Sequence, residues 1–268
     1  MKDCGVYRFA DLLDLGMTRR AIARQMREGK LRRIIRGWYA TPSAKPEVVS
    51  AVSAGGQLGC LSACEHYGLW IPPGHNRQVH VVRSRTRKNR KSGSAHLHVV
   101  PRDSRGAIAT LWDALRHVLR FHDAETALIV LESAVEKRLI TYDQGWELIR
   151  SLPKYRQKPL RFFTRGAQSG SETRVRLFFQ NLKVPVKIQE RIRDVGRVDL
   201  LVGRSWVIEC DSKAHHTLTN DYHRDCDRDI YCALGDMFTN RLSYQHIWFD
   251  WGVTKLHLQA LMTKRLRK

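Results

Sequence analysis

The sequence has no long apolar run and no regular cysteine framework. No stretch approaches the roughly 20 apolar residues of a membrane-spanning helix, and the first residues, MKDCGVYRFADLLDLG, have no signal-peptide core. The six cysteines form no Cys-x-x-Cys pair, so reduced thiols are expected. Cys60 and Cys64 have helical spacing and are expected in a core rather than as metal ligands. These features predict a soluble, cytoplasmic protein.

Acidic residues are scarce relative to basic ones. The 268 residues include 26 Asp and Glu against 47 Lys and Arg, a formal net charge of +21, and both halves of the chain are basic. A hydrophobic content of 43% is typical of globular proteins and argues against a disordered chain. The charge predicts a polyanionic partner, and double-stranded DNA is the first candidate. A solvated basic surface on another kind of enzyme is the alternative.

The first forty residues have the pattern of a small DNA-binding unit. Apolar spacing predicts a helix over 6–13, and Thr18 is placed to cap a second helix over 19–28. The segment 31–40, LRRIIRGWYA, predicts a pair of short strands. Together these elements predict a winged helix-turn-helix, whereas a small helical cap with solvated arginines is the alternative. The DNA-binding residues predicted here are Arg19, Arg20 and Arg24.

The segment GMTRRAIARQMREGKLRRIIRGWYA resembles the N-terminal winged-helix domain of AbiEi-type antitoxins, which are bacterial transcriptional regulators. The resemblance covers about the first 70 residues, through LSACEHYGLWIPP. It implies that the protein binds double-stranded DNA and that the helix over 19–28 enters a groove. A second copy of the chain and a toxin or defence protein are further candidate partners, and no membrane partner is expected.

Residues 46–165 are predicted to form an α+β connecting module. Apolar segments at 79–82 and 97–100 flank a run rich in Arg and Lys over 83–94. This run predicts a flexible basic loop or hairpin tip that lies along phosphates, and a solvated loop is the alternative. Helices are predicted over 107–121, 123–138 and 142–150, before a Pro/Gly/Ser-rich linker. The DNA contacts predicted in the basic run are Arg83, Arg85, Arg87, Lys88, Arg90 and Lys91.

The remaining residues, 166–268, predict an α/β domain. Ser171 is placed to cap its first helix. The predicted order αβββαβ is that of the PD-(D/E)XK restriction-endonuclease-like core, although other α/β sandwiches permit it. The predicted fold class is therefore a multidomain α/β protein with domains 1–45, 46–165 and 166–268. Strands are predicted near 184–192, 197–202, 206–211 and 244–249, and helices at 172–182, at 218–234 and from Thr254.

Three acidic residues lie in a predicted β-hairpin, RVDLLVGRSWVIECDSK. If 198–202 pairs with 206–211 around the Gly203-Arg204-Ser205 loop, Asp199 faces Glu209 directly, and Asp211 points the same way as Glu209. Ile208 and Cys210 then face the core. Carboxylates that converge repel one another, and a hard divalent cation such as Mg²⁺ or Mn²⁺ removes that repulsion. The sequence therefore predicts a metal site at Asp199, Glu209 and Asp211.

Other roles for these acids remain open. They could lie on an exposed strand face near Arg197 and Arg204, or one of them could pair with Lys213. The surrounding basic charge and the upstream Glu172, which we include in the catalytic set, favour the metal site. His215 follows Asp211 by four residues and is predicted to act as a general base or to orient the phosphate.

The pattern VDLLV…VIECDSKAHHT…DYHRDCDRDIYCALG resembles the bacterial family of nuclease-like domains related to the very-short-patch-repair endonuclease. The resemblance implies metal-dependent cleavage of DNA. An acid, Asp211, stands where the general motif has its lysine, and Ser212 stands where members commonly have Gly. We expect Asp225, Arg228 and Asp229, which share a helical face, to form a supporting ion-pair network. The residues that match the family are Asp199, Glu209, Asp211, His215, Tyr222, Asp225, Arg228 and Asp229.

Two functions follow from these patterns. The first is a DNA-binding, divalent-metal-dependent endonuclease that hydrolyses phosphodiester bonds. The second is a DNA-binding transcriptional regulator or antitoxin-like protein with a catalytically silent nuclease-like domain. The three acids favour the enzyme, and the missing lysine favours the regulator.

Overall fold

The protein, described by a computed structural model, has a mixed α/β fold, and its chain divides into two compact units, Met1–Asp123 and Ala124–Lys268. The predicted α/β class is confirmed at this level. The finer division at 45/46 and 165/166 stays a prediction. Within the described part of the chain, every helix is too short or too polar to cross a lipid bilayer. The structure describes residues 4–75, 78–85, 95–101, 106–210 and 230–265.

The first unit begins with a small sheet and two helices. The strands are ordered β1-β3-β2, and both pairings are antiparallel. Helix α2 begins as predicted, because the Thr18 hydroxyl accepts a hydrogen bond from the Ala21 N–H at 3.1 Å. Leu12, Ile22 and Leu31 form the buried cluster of this part. The elements are β1 (Val6–Arg8), α1 (Phe9–Asp14), α2 (Arg19–Arg27), β2 (Arg32–Ile35) and β3 (Trp38–Ala40).

The helix predicted over 6–13 is partly wrong. Val6–Arg8 is a strand that pairs with β3, and the helix begins only at Phe9. The prediction used local apolar spacing, which contains no information about a pairing partner more than thirty positions away. The predicted strand pair over 31–40 is confirmed, with Gly37 at φ +82° in its turn.

A second sheet of the first unit has the order β4-β5-β6. Strand β5 is antiparallel to β4 but parallel to β6. The hairpin tip predicted for the basic run is therefore wrong, because a hairpin joins antiparallel strands. Residues 86–94 of that run lie outside the described residues. The elements are α3 (Pro46–Ser53), β4 (Gln57–Leu58), α4 (Cys60–His66), β5 (His80–Ser84), β6 (His96–Val100) and α5 (Leu111–Phe121).

The second unit begins with helices that pack on one another. Of the three helices predicted over 107–121, 123–138 and 142–150, the first (α5, in the first unit) and the second are shorter than predicted, and the third has the predicted bounds. The predicted linker after them is instead a packed segment, because Leu160 and Phe163 are buried. The elements are α6 (Ala124–Glu136), α7 (Tyr142–Arg150), α8 (Lys154–Gln157), a 3₁₀ helix (Lys158–Phe162) and α9 (Gly170–Asn181).

A sheet with the order β10-β9-β8-β7 follows α9. Strands β7, β8 and β9 are antiparallel neighbours, and β10 is parallel to β9. Val175 and Phe179 of α9 belong to the same buried cluster as Leu200 and Ile208 of the sheet. The elements are β7 (Val186–Ile192), β8 (Gly196–Val202), β9 (Trp206–Cys210), the helical residues 230–234 (α10), β10 (Phe238–Leu242), α11 (Tyr244–Trp248) and α12 (Trp251–Arg265).

Three details of this unit differ from expectation. The strand predicted over 244–249 is helix α11, because Ser243 caps it: the Ser243 hydroxyl accepts a hydrogen bond from the His246 N–H at 3.3 Å. Ser169, not Ser171, caps α9, and its hydroxyl accepts from the Glu172 N–H at 3.1 Å. Thr254 lies inside α12, where its hydroxyl donates to a carbonyl of α11 at 2.9 Å.

Candidate functional site

Glu172 occupies the first turn of α9 and is only 4% exposed. Its two carboxylate oxygens accept hydrogen bonds from the Gln168 N–H at 3.0 Å and from the Ser169 hydroxyl at 2.9 Å. The Ser-x-x-Glu pattern therefore both begins the helix and fixes the direction of this acid. The buried carboxylate also accepts a hydrogen bond from Gln189 of β7, so it faces this strand.

Gln189 connects Glu172 to Asp199. Its side-chain amide nitrogen donates to Glu172 Oε2 at 2.9 Å and to Asp199 Oδ1 at 3.1 Å. Because Ile188 pairs with Leu200 and Glu190 pairs with Val198, Gln189 stands opposite Asp199. The backbone of Gln189 has φ +52°, a left-handed conformation that is costly for a residue other than glycine. Strand β7 is thus distorted at the point where it meets the acids.

Asp199 and Glu209 meet at the end of the β8–β9 pairing. The predicted register is confirmed for the pairs 200:208, 201:207 and 202:206. Beyond them, the Cys210 N–H donates to Asp199 Oδ2 at 2.8 Å, and the Asp199 N–H donates to Glu209 Oε2 at 3.2 Å. Each carboxylate thus accepts a hydrogen bond from the backbone of the neighbouring strand. Ile208 and Cys210 are buried, as predicted.

The environment of Glu172 disfavours its charged form. Burial raises the pKa of this carboxyl, and the negative charge of Asp199 raises it further. Hydrogen bonds from the Gln168 backbone, Gln189 and Ser169 oppose the shift, but the net change in pKa is upward. A negative charge on Glu172 is therefore costly beside Asp199, and a bound cation would offset that cost.

The structure brings together Glu172, Asp199 and Glu209 of the predicted catalytic set. Among the predicted DNA contacts, Arg19, Arg20, Arg24 and Arg85 are exposed. Arg83, on β5, is 6% exposed, and this burial does not suit contact with phosphate. The predicted residues that lie outside the described part of the chain are Asp211, His215, Asp225, Arg228, Asp229, Arg87, Lys88, Arg90 and Lys91.

The first unit contains a second cluster, which the sequence patterns did not predict. One ligand atom from each of Cys60, His80, His98 and His122 lies within 4.8 Å of the others. Cys60 Sγ is 3.1 Å from His122 Nε2, and His80 Nδ1 is 3.1 Å from His98 Nε2. Thiolate and imidazole are the usual ligands of zinc. This group could hold a metal ion.

Burial decides the protonation of this cluster. It is the main cause of the lowered pKa of His80, to about 4, and of His98, to about 3, and the neighbouring histidines contribute to the same shifts. It raises the pKa of the Cys60 thiol to about 12. The two imidazoles are therefore neutral near pH 7, the form in which histidine binds metals. The expectation that Cys60 lies in a core is confirmed, since it is fully buried, but its sulfur faces histidines.

Sequence spacing could not have identified this group. Its members are the first residues of α4 and β5, the middle residue of β6, and the residue that follows α5. The separations between them are far longer than those of a zinc-finger motif. The local signal is the His-Leu-His alternation at 96–98, which puts two histidines on one face of a strand.

No protein-family model matches the chain, and no curated protein matches its sequence. Among solved structures, the chain is similar to the crystal structure of the RV2827C protein from Mycobacterium tuberculosis, with 15% sequence identity. The match covers 64% of this chain and 70% of that chain, with a TM-score of 0.25. A likeness this weak carries no argument about fold or function.

Proposed function

We propose that the protein is a DNA-binding endonuclease that hydrolyses phosphodiester bonds with a divalent metal ion. The observation that carries the proposal is the convergence of Glu172, Asp199 and Glu209 from a helix and two adjacent strands. The order α9-β7-β8-β9-α10-β10, with β10 parallel to β9, supports the PD-(D/E)XK-type core. This order of elements agrees with the family resemblance, which covers about the last 100 residues of the sequence.

The donor set suits Mg²⁺ or Mn²⁺. All of its ligand atoms are carboxylate oxygens, which hard divalent cations prefer. Asp199 and Glu209, together with Asp211 one residue beyond β9, would hold the ion, and His215 would serve as general base. When bound, the ion would polarise the phosphodiester and lower the pKa of an attacking water. Glu172 and Gln189 position Asp199 through the hydrogen bonds of the Gln189 amide.

The first unit would deliver the DNA. Its helix pair followed by the β2–β3 ribbon supports a winged helix-turn-helix, in which α2 enters the major groove. Arg19, Arg20 and Arg24 of α2 are exposed, so their guanidinium groups would be available to base edges and phosphates. The net charge of +21 supplies attraction for DNA of any sequence.

The test is incubation of the full-length protein with supercoiled plasmid, with and without Mg²⁺ or Mn²⁺. We expect divalent-dependent nicking or cutting that Asp199→Asn and Glu209→Gln each reduce at least about 100-fold, with duplex binding unchanged. The matched control is Glu190→Gln, because this acid lies on β7 and bonds Lys187 at 2.7 Å rather than the cluster. The control should cut at the wild-type rate. Cutting that survives Glu209→Gln would refute this site.

The regulator with a silent nuclease-like domain is the second candidate. Two observations favour it: Asp211 stands at the position of the usual lysine, and the carboxylates of Asp199 and Glu209 already accept backbone hydrogen bonds. Wild-type protein that binds duplex DNA but cuts no DNA form with either metal would favour this function over the enzyme.

A further inference from the structure

We propose that Cys60, His80, His98 and His122 bind one zinc ion inside the first compact unit. All four residues lie within Met1–Asp123. The proposal therefore does not depend on the carboxylates of the second unit, and it concerns a different metal. Cys60, His80 and His98 are each at most 5% exposed, and His122 is half-buried. Four ligands fill a tetrahedral coordination sphere, so the predicted role of the ion is structural.

The observed distances are close to those of a zinc site. With Zn–N near 2.0–2.1 Å and Zn–S near 2.3 Å, tetrahedral ligand atoms lie about 3.3–3.6 Å apart. Here two of the pairs are at 3.1 Å, and all four atoms lie within 4.8 Å of one another. To hold an ion, the longer separations, which are at most 4.8 Å, would shorten toward about 3.3–3.6 Å.

The backbone around Cys60 holds the start of α4 close to the histidines. Cys60 has φ +51°, which is strained for a residue with a Cβ. Before it, the Gly59 N–H donates to the His80 carbonyl at 3.0 Å, and a Cβ at Gly59 would clash with Val82. The His80 N–H in turn donates to the Ser62 hydroxyl at 2.9 Å. These contacts fix the start of α4 against the start of β5.

The ligand types select zinc over the ions proposed for the second unit. One thiolate and three imidazoles are soft or borderline donors, and they offer no oxygen to Mg²⁺ or Mn²⁺. Tetrahedral sulfur and nitrogen coordination is typical of Zn²⁺. Binding requires the Cys60 thiol to lose its proton, and the ion itself supplies the free energy for that loss. The ion would join α4, β5, β6 and the end of α5.

The first experiment measures metal content. The full chain is purified without chelators and without metal-affinity resin. It should then contain one equivalent of zinc, measured by inductively coupled plasma mass spectrometry. Cys60→Ser and His98→Asn should each lose most of it. His96→Asn is the matched control, because the exposed His96 ring is centred 4.6 Å from the His98 ring but is not one of the four ligands. Equal zinc loss in His96→Asn and His98→Asn would overturn the ligand set.

A second experiment remains informative if these variants fold poorly. Chelator-treated wild-type protein is titrated with Co²⁺ alone. We expect the intense visible bands of tetrahedral cobalt and a near-ultraviolet thiolate-to-cobalt band, and both should disappear when stoichiometric Zn²⁺ is added. Wild-type protein that contains no zinc and shows neither band would overturn the proposal, and the cluster would then be a hydrogen-bonded core. Neither result alters the plasmid test of the nuclease.

Discussion

Two residues at the ends of helices adopt the same backbone conformation with different side chains. Lys183 follows α9 with φ +61°, and Gly29 follows α2 with φ +72°. At Lys183, the N–H of this residue bonds the Gln180 carbonyl at 3.0 Å, and the next N–H bonds the Phe179 carbonyl at 3.0 Å. Gly29 and the next residue make the equivalent two bonds. Both ends are Schellman motifs, in which glycine is preferred.

This comparison gives a prediction for single substitutions. Lys183→Gly should stabilise the protein by about 0.5–1 kcal/mol, because glycine carries no penalty at positive φ. Gly29→Ala should destabilise it by about the same amount, and no atom lies within 4 Å of the added Cβ. The measurement is urea unfolding followed by tryptophan fluorescence. If Gly29→Ala leaves the free energy of unfolding unchanged, backbone strain does not determine the preferred residue at these helix ends.

At the residue scale, the acids could be predicted and their connecting residue could not. Alternation along two strands placed Asp199 opposite Glu209, because strand register depends on local pairing. The contact of Gln189 with the acids could not be predicted. It depends on a left-handed backbone in the middle of a strand, which neither hydrophobicity nor propensity indicates. The cluster of Cys60 with three histidines could not be predicted for a different reason: its members come together only through the packing of four elements.

At the scale of elements, one buried ion pair joins α6 to α9. Arg176 Nη2 lies 2.6 Å from Glu132 Oε1, and both side chains are at most 2% exposed. The Thr173 hydroxyl donates to Glu132 at 2.8 Å, and the Thr164 N–H donates at 3.1 Å. Burial raises the pKa of Glu132, while Arg176 acts to lower it. The contact spans the predicted boundary at 165/166, within one compact unit.

Substitution of one residue of the Glu132–Arg176 pair should lower the free energy of unfolding more than substitution of both. Glu132→Gln leaves the Arg176 charge uncompensated and should destabilise the protein by about 3–5 kcal/mol. Glu132→Leu combined with Arg176→Met should recover much of that loss, because no charge stays buried. The control, Glu125→Gln, breaks a more exposed pair with Arg174 (3.2 Å) and should cost less than about 1 kcal/mol. A double variant as unstable as Glu132→Gln would contradict this account.

The type of an element could be predicted where its cap and its apolar periodicity agree. The prediction was wrong where the two signals conflict. Thr18 and the apolar spacing both indicated α2. For α11, the aromatic and β-branched composition of YQHIWF favours a strand, whereas Ser243 is a helix cap. The cap and the burial of Ile247 determine the outcome. Strand β1 could not be predicted, because its three residues become a strand only by pairing with β3.

At the scale of the whole molecule, the charge of +21 predicts how binding to DNA depends on salt. Each neutralised phosphate releases condensed counterions, so the logarithm of affinity should fall with the logarithm of salt by about 0.9 per contact. Substitution of Arg85, Arg87, Lys88, Arg90 and Lys91 by Gln together should flatten this slope and weaken binding to all duplexes equally. The measurement is a fluorescence-anisotropy titration at several salt concentrations. An unchanged slope would show that the run is only solvated.

Changes in α2 should alter which sequences are bound, not only how tightly. Arg19 and Arg20 are exposed at the start of the proposed recognition helix, where base edges are read. Arg19→Gln with Arg20→Gln should therefore change the rank order of duplexes in a random-sequence selection. The control, Lys137→Gln with Arg138→Gln, removes the same two charges from exposed positions after α6 and should keep the order. If the α2 variant weakens every duplex alike, the first unit is a general clamp on DNA, and sequence preference must come from elsewhere in the chain.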